Sequence, residues 1–93
     1  MVEYIDYVKI AIDWRNTRCL ETSSNMYCKT GVVLIWNGRV YCWKDQLRDA
    51  RHERPGVVAV DCHDHVFRAE GGNDYDGAAV WVVYEPLQQD IAH

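Results

Sequence analysis

Absent from this sequence is any segment that looks like an address or a membrane span. Met1-Val2-Glu3-Tyr4-Ile5-Asp6 holds no basic stretch followed by an apolar one, which predicts a protein of the cytoplasm. No apolar run nears the ~20 residues that cross a bilayer, and Val32–Trp36 stops at Asn37. The cysteines at 19, 28, 42 and 62 form no Cys-x-x-Cys pair, so the short spacing of a structural zinc site is missing. Without an export signal they are expected as reduced thiols, with Cys42 and Cys62 as small buried hydrophobes. No loop carries the twelve-residue EF-hand pattern. There is no internal repeat and no domain boundary, so residues 1–93 read as one domain with a polar tail from about 87.

Basic residues are scarce where acids gather. Residues 57–93 hold seven acids against Arg68 alone, whereas residues 37–56 hold five bases and three acids. The net charge of −4 repels phosphate backbones and argues against binding of nucleic acid by counterion release. Nothing implies a cofactor or a membrane partner. A chain of this mass buries roughly 65% of its surface on folding, and 48% hydrophobic residues suffice for one core.

What is present is strand chemistry. Two β-branched and aromatic runs, Val32–Trp36 and Arg39–Trp43, flank Asn37-Gly38, the pair that favours a type I′ hairpin turn. A two-residue turn sets Trp36 against Arg39, Ile35 against Val40, Leu34 against Tyr41, Val33 against Cys42 and Val32 against Trp43. By alternation, one face then carries Val33, Ile35, Val40 and Cys42. The other carries Val32, Leu34, Trp36, Arg39, Tyr41 and Trp43. A second hairpin is predicted from Val57–Cys62 and His65–Glu70 with His63-Asp64 as the turn, placing Val58, Val60, Cys62, Phe67 and Ala69 together. The alternation of Val8, Ile10, Ile12 and Trp14 favours a strand over the competing helical stripe Ile5, Val8, Ile12, Cys19. Ala79–Tyr84, apolar on both faces, reads as a buried strand. Lys44–Arg54 is a short-helix candidate with Asp45 as N-cap, and Gly71–Gly77 is a loop by composition. The fold class expected is α+β: a mainly antiparallel sheet or partly closed barrel of about five or six strands with two hairpins, and one or two short helices.

Candidate chemistry is thin. Cys62-His63-Asp64-His65 gathers ligand-type residues, yet neighbours on a strand point to opposite faces, so ordinary turn roles are expected. Cys62 beside His65, with Asp61 or Asp64, is a nucleophile arrangement in outline, but it sits in the most acidic third of the chain, where a thiolate is disfavoured. Asn73, Asp74 and Asp76 offer oxygens without the full set a hard cation needs. The feature of most weight is the face carrying Val32, Leu34, Trp36, Arg39, Tyr41 and Trp43, because Trp, Tyr and Arg are the residues of interface hot spots. It predicts a non-enzymatic interaction module that homodimerises or binds another protein through this face. A small-molecule-binding domain with an aromatic-lined pocket is the alternative. A minimal enzyme or metal site around Cys62, His63 and His65 comes third.

Overall fold

The computed structural model describes residues 6–22 and 29–84; Ile5 and the expected polar tail from 87 lie outside these. Helix α1 (Tyr7–Thr22) is followed by strands β1 (Val32–Trp36), β2 (Arg39–Lys44), β3 (Val58–Asp61), β4 (Val66–Glu70) and β5 (Val80–Val83), with one 3-10 turn at Ala50–His52. The five strands form one antiparallel sheet in the order β2-β1-β3-β4-β5. The architecture is α+β, as expected, and the sheet is open rather than closed into a barrel. Among the described residues no helix is long and apolar enough to cross a membrane.

Residues 7–22 are helical, which corrects the strand expected over 8–14. Asp6 starts the helix: its carboxylate accepts Lys9 N–H at 3.1 Å and its carbonyl accepts Ile10 N–H at 3.2 Å, the work of an N-cap. The face turned to the sheet is Tyr7, Val8, Ala11, Trp14 and Arg15, with Ile10 at its margin, a spacing of three and four that only a helix aligns. Ile12, which fitted both readings, is 41% exposed. Ala11 lets the helix lie close over the sheet, against Val33, Ile35, Val58, Val60 and Val66.

β1 is the centre of the molecule. Val32, Val33, Leu34 and Ile35 are all at most 3% exposed, and each such side chain contributes roughly 1.5–3 kcal/mol by burial. Both of its faces are covered by the chain itself. α1 lies over one. On the other, Val32 and Leu34 pack with Ala59, Ala69 and a non-helical cover made by Leu47, Ala50, Val57 and Ala78. Lys44–Arg54 is therefore not the helix expected. Its apolar content supports only the 3-10 turn, which Asp49 rather than Asp45 caps through Arg51 N–H at 3.0 Å.

Both hairpins form; the second is displaced from the expected register by one residue throughout, the first only beyond its second pair. In the first, Asn37 (φ 55°) and Gly38 (φ 77°) make the turn, and Trp36↔Arg39 and Ile35↔Val40 pair as anticipated. The ladder then resumes as Leu34↔Cys42, Val33↔Trp43 and Val32↔Lys44. Tyr41 is the extra residue of a β-bulge, and from there the two faces of β2 exchange. Trp43 joins the helix side and Cys42 the opposite side. In the second hairpin the pairs are Val58↔Arg68, Ala59↔Phe67 and Val60↔Val66. The turn is Cys62-His63-Asp64, with Asp64 at φ 68° and Asp61 N–H donating to the His65 carbonyl at 3.0 Å. Phe67 and Ala69 consequently face Val57 and Ala59, not Val58 and Val60.

β5 is an edge strand, not the buried strand expected. Val80, Val82 and Val83 are 52%, 39% and 63% exposed, because β5 pairs only with β4 and α1 lies over β2 and β3. Cys19 is disulfide-bonded, which departs from the reduced state expected, while Cys42 and Cys62 are free thiols.

Candidate functional site

The bulge at Tyr41 dismantles the aromatic face that the regular register assembles. Val32 and Leu34 are sealed in the core. Trp43 lies across the sheet, where its indole N–H donates to the Thr30 carbonyl at 3.1 Å. Arg39 is exposed at the hairpin tip. Only Trp36 and Tyr41 remain together, and they line a groove of about 300 Å³ with His52, Glu53, Arg54 and Val57.

Glu53 organises this groove. Its backbone is held twice, by Glu53 N–H to the Ala50 carbonyl at 3.0 Å and by Ala78 N–H to the Glu53 carbonyl at 2.8 Å. The side chain, 8% exposed, turns inward and accepts the Tyr41 hydroxyl on one oxygen and Lys44 Nζ at 2.7 Å on the other. Burial pushes the Tyr41 phenol well above its ordinary range, and the hydrogen bond and charge of Glu53 push it further. Tyr41 is therefore a neutral donor at physiological pH. Trp36 is covered by the Arg54 guanidinium at 4.7 Å from its ring, a cation–π contact, and Arg54 Nε stands 3.8 Å from Asp74.

Removing the Tyr41 hydroxyl strips one donor from a buried carboxylate, so Tyr41→Phe is expected to lower stability by about 1–2 kcal/mol at pH 7. The alkaline side carries a second signature. A phenol whose folded pKa is raised contributes stability fully below the unfolded value of about 10 and loses it as pH rises through the folded value. Urea titrations from pH 7 to 11 should show wild type losing stability above pH 10 more steeply than Tyr41→Phe; parallel curves would refute this role for Glu53.

A second, more open depression of about 530 Å³ adjoins the groove, lined by Trp43, Lys44, Asp45, Arg48 and His52. Two of the bases that made residues 37–56 positive, Lys44 and Arg48, line it, and four of the five have an acid beside them: Lys44 with Glu53, Arg48 with Asp45, Arg51 with Asp49, Arg54 with Asp74. The basic segment is thus neutralised locally and offers little net field to a phosphate chain.

The Cys62-His63-Asp64-His65 cluster resolves into a turn held by Asp61. Its carboxylate accepts His63 N–H at 2.8 Å and His65 N–H at 2.9 Å on one oxygen, and meets His65 Nδ1 at 3.1 Å on the other. Burial pushes this carboxyl up, but those hydrogen bonds outweigh it and hold Asp61 below the usual carboxylate range. His63 and His65 are exposed, and among the described residues no three His, Cys, Asp or Glu side chains converge as a metal would require. In the loop 71–77, Asn73 Oδ1 is occupied by Tyr75 N–H at 2.9 Å and Asp76 N–H at 2.7 Å, so its role is to close the turn.

The surface that sequence reasoning missed is β5. Its run Val80–Val83 is apolar at every position, the same pattern as the buried β1, so the residues alone do not separate edge from core. No family model, curated protein or solved structure matches the chain.

Proposed function

We propose that the chain is a non-enzymatic interaction module that self-associates, and that the contact runs along β5 instead of across the β1–β2 hairpin. The observation that carries this reading is an edge strand made wholly of apolar residues, with Val80 and Val82 exposed on one face and Val83 on the other. Such an edge is a template for another strand. The opposite edge of the sheet is guarded. β2 begins with Arg39, ends with Lys44 and is interrupted by the Tyr41 bulge, and each of these devices obstructs pairing. β5 has none of them.

Sedimentation velocity across a concentration series tests the proposal. The wild-type mass is expected to rise from 10.8 kDa toward double, and Val82→Lys, which sets a charge on the contact, is expected to remain at the single-chain mass. A wild type that stays at single-chain mass throughout overturns it. A small-molecule reading attaches to the groove of Trp36, Tyr41, His52 and Arg54, favoured by its two aromatic side chains. It ranks second because the charged groups there are already paired with one another.

A further inference from the structure

The backbone of β5 specifies how a second copy fits it. Tyr84 N–H donates to the Val66 carbonyl at 2.8 Å, continuing the register in which Val82 faces Arg68 and Val80 faces Glu70. Hydrogen-bonded and non-bonded pairs alternate along an antiparallel ladder. Val80 and Val82 therefore direct their N–H and C=O groups to β4, and Trp81 and Val83 direct theirs outward. Among the described residues nothing pairs with that outer side.

Building on the self-association reading, we infer that β5 pairs antiparallel with β5 of a second copy about a two-fold axis at Val82, joining two five-stranded sheets into one. Two conditions limit the register. An axis perpendicular to the sheet keeps each face continuous, so residues set opposite must belong to the same face. Outward backbone groups must also meet outward groups. Trp81 against the partner's Val83, and the reverse, meets both conditions, and each pair exchanges both N–H and C=O bonds. A register centred on Trp81 instead sets Val83 against the partner's Ala79, whose N–H is already donated to the carbonyl of Glu70 at 2.9 Å in its own chain.

Charge favours a second copy over an arbitrary apolar strand. In the Val82 register Val80 lies opposite the partner's Tyr84. Glu70 stands beside Val80, and the Arg68 guanidinium reaches out over β5, 5.5 Å from the Tyr84 ring centre within each chain. The axis thus sets Glu70 of each copy on the same face as the partner's Arg68, their strands about 14 Å apart, a long-range attraction made twice. A pair of four-residue strands buries less than the roughly 1,200 Å² of a stable complex, so the association is reversible and depends on concentration.

Cysteine cross-linking reads the register directly. In a non-hydrogen-bonded antiparallel pair the Cα atoms are about 4.5 Å apart, within disulfide range. Val82→Cys is therefore expected to form a covalent dimer under mild oxidation, with wild type as the control for Cys42 and Cys62. Val83→Cys, although more exposed, places its two copies roughly 8 Å apart by strand geometry, and is expected to stay uncoupled. The inference is overturned if Val82→Cys does not couple, or if Val83→Cys couples equally well. Should the wild-type mass still double in those cases, self-association stands and only this pairing fails. If the wild-type mass stays single, the underlying reading fails with it.

Discussion

Gly77→Ala is expected to destabilise the fold by about 4 kcal/mol, against about 1 kcal/mol for Gly38→Ala. Both glycines have positive φ, 91° and 77°, so both substitutions carry the left-handed penalty of an L side chain. They differ in what the new methyl meets. At Gly38 it meets nothing within 4 Å, whereas at Gly77 it would lie 2.0 Å from the carbonyl oxygen of Arg51 and 2.7 Å from its carbon. That clash is with backbone, and neither side can yield. Gly77 is tied to Asn73 by reciprocal bonds of 2.9 and 3.1 Å, and the next residue, Ala78, donates to Glu53. Arg51 is the middle residue of the 3-10 turn. Relief would mean lifting loop 71–77 off the turn, which uncovers Ala50 and Ala78, both core residues. Since small domains are stable by only about 5–15 kcal/mol, the variant should be partly unfolded at physiological temperature. Paired urea titrations check the difference; two variants within 1 kcal/mol of each other would show the contact to be soft.

The second large effect belongs to Arg15. It is 6% exposed, and its guanidinium donates to the carbonyls of Thr30 at 2.8 Å, Gly31 at 2.9 Å and Val60 at 3.3 Å. One helical side chain thus pins α1 to the ends of two neighbouring strands. Burial draws its pKa down, and the nearby Cys62, Asp61 and Asp64 oppose that pull. Truncation to alanine removes the donor while the carbonyl of Val60 stays buried and that of Gly31 partly so. Thr30 keeps the Trp43 indole, but Gly31 and Val60 lose this partner. Arg15→Ala is accordingly expected to cost about 3 kcal/mol. Arg15→Lys should recover only part, because an ammonium cannot reproduce the planar fork. Hydrogen exchange supplies the specific readout: α1 amides should lose protection before those of β1 and β3. Uniform loss across the sheet, or a cost under 1 kcal/mol, would mean that the helix is held by its apolar face alone.

The sequence disclosed whatever depends on neighbours along the chain. Asn37-Gly38 announced its turn because few other pairs accept positive φ at both positions, and the first two pairs beyond it followed. All five strands were placed within a residue at each end, β-branched residues having few alternatives. What stayed hidden depends on groups remote in sequence. The Tyr41 bulge is supported by the carboxylate of Glu53, twelve residues away. The one-residue shift of the second hairpin goes with the Asp61 side chain, which accepts two backbone N–H groups from the turn that follows it. For residues 8–14 both periodicities fit, and the decision rested with the face of β1 and β3 that needed a cover. The candidate surface moved for the same reason. Whether Val80–Val83 is core or edge is a property of what lies beside it, and composition cannot express that.

The bulge gives β2 a parity. In a strand, position modulo two decides which layer a side chain enters, and Tyr41 adds one to the count between the turn and Trp43. Removing Tyr41 would close the ladder into an unbroken two-residue hairpin whose pairs, Leu34↔Cys42 and Val33↔Trp43, are those already made, so every layer assignment survives the loss of one residue. Removing two would set Leu34 against Trp43, send the indole away from the Thr30 carbonyl and exchange a large ring for a small thiol in both layers at once. β2 thus carries one spare residue, and what its loss forfeits is the bond from Tyr41 to Glu53.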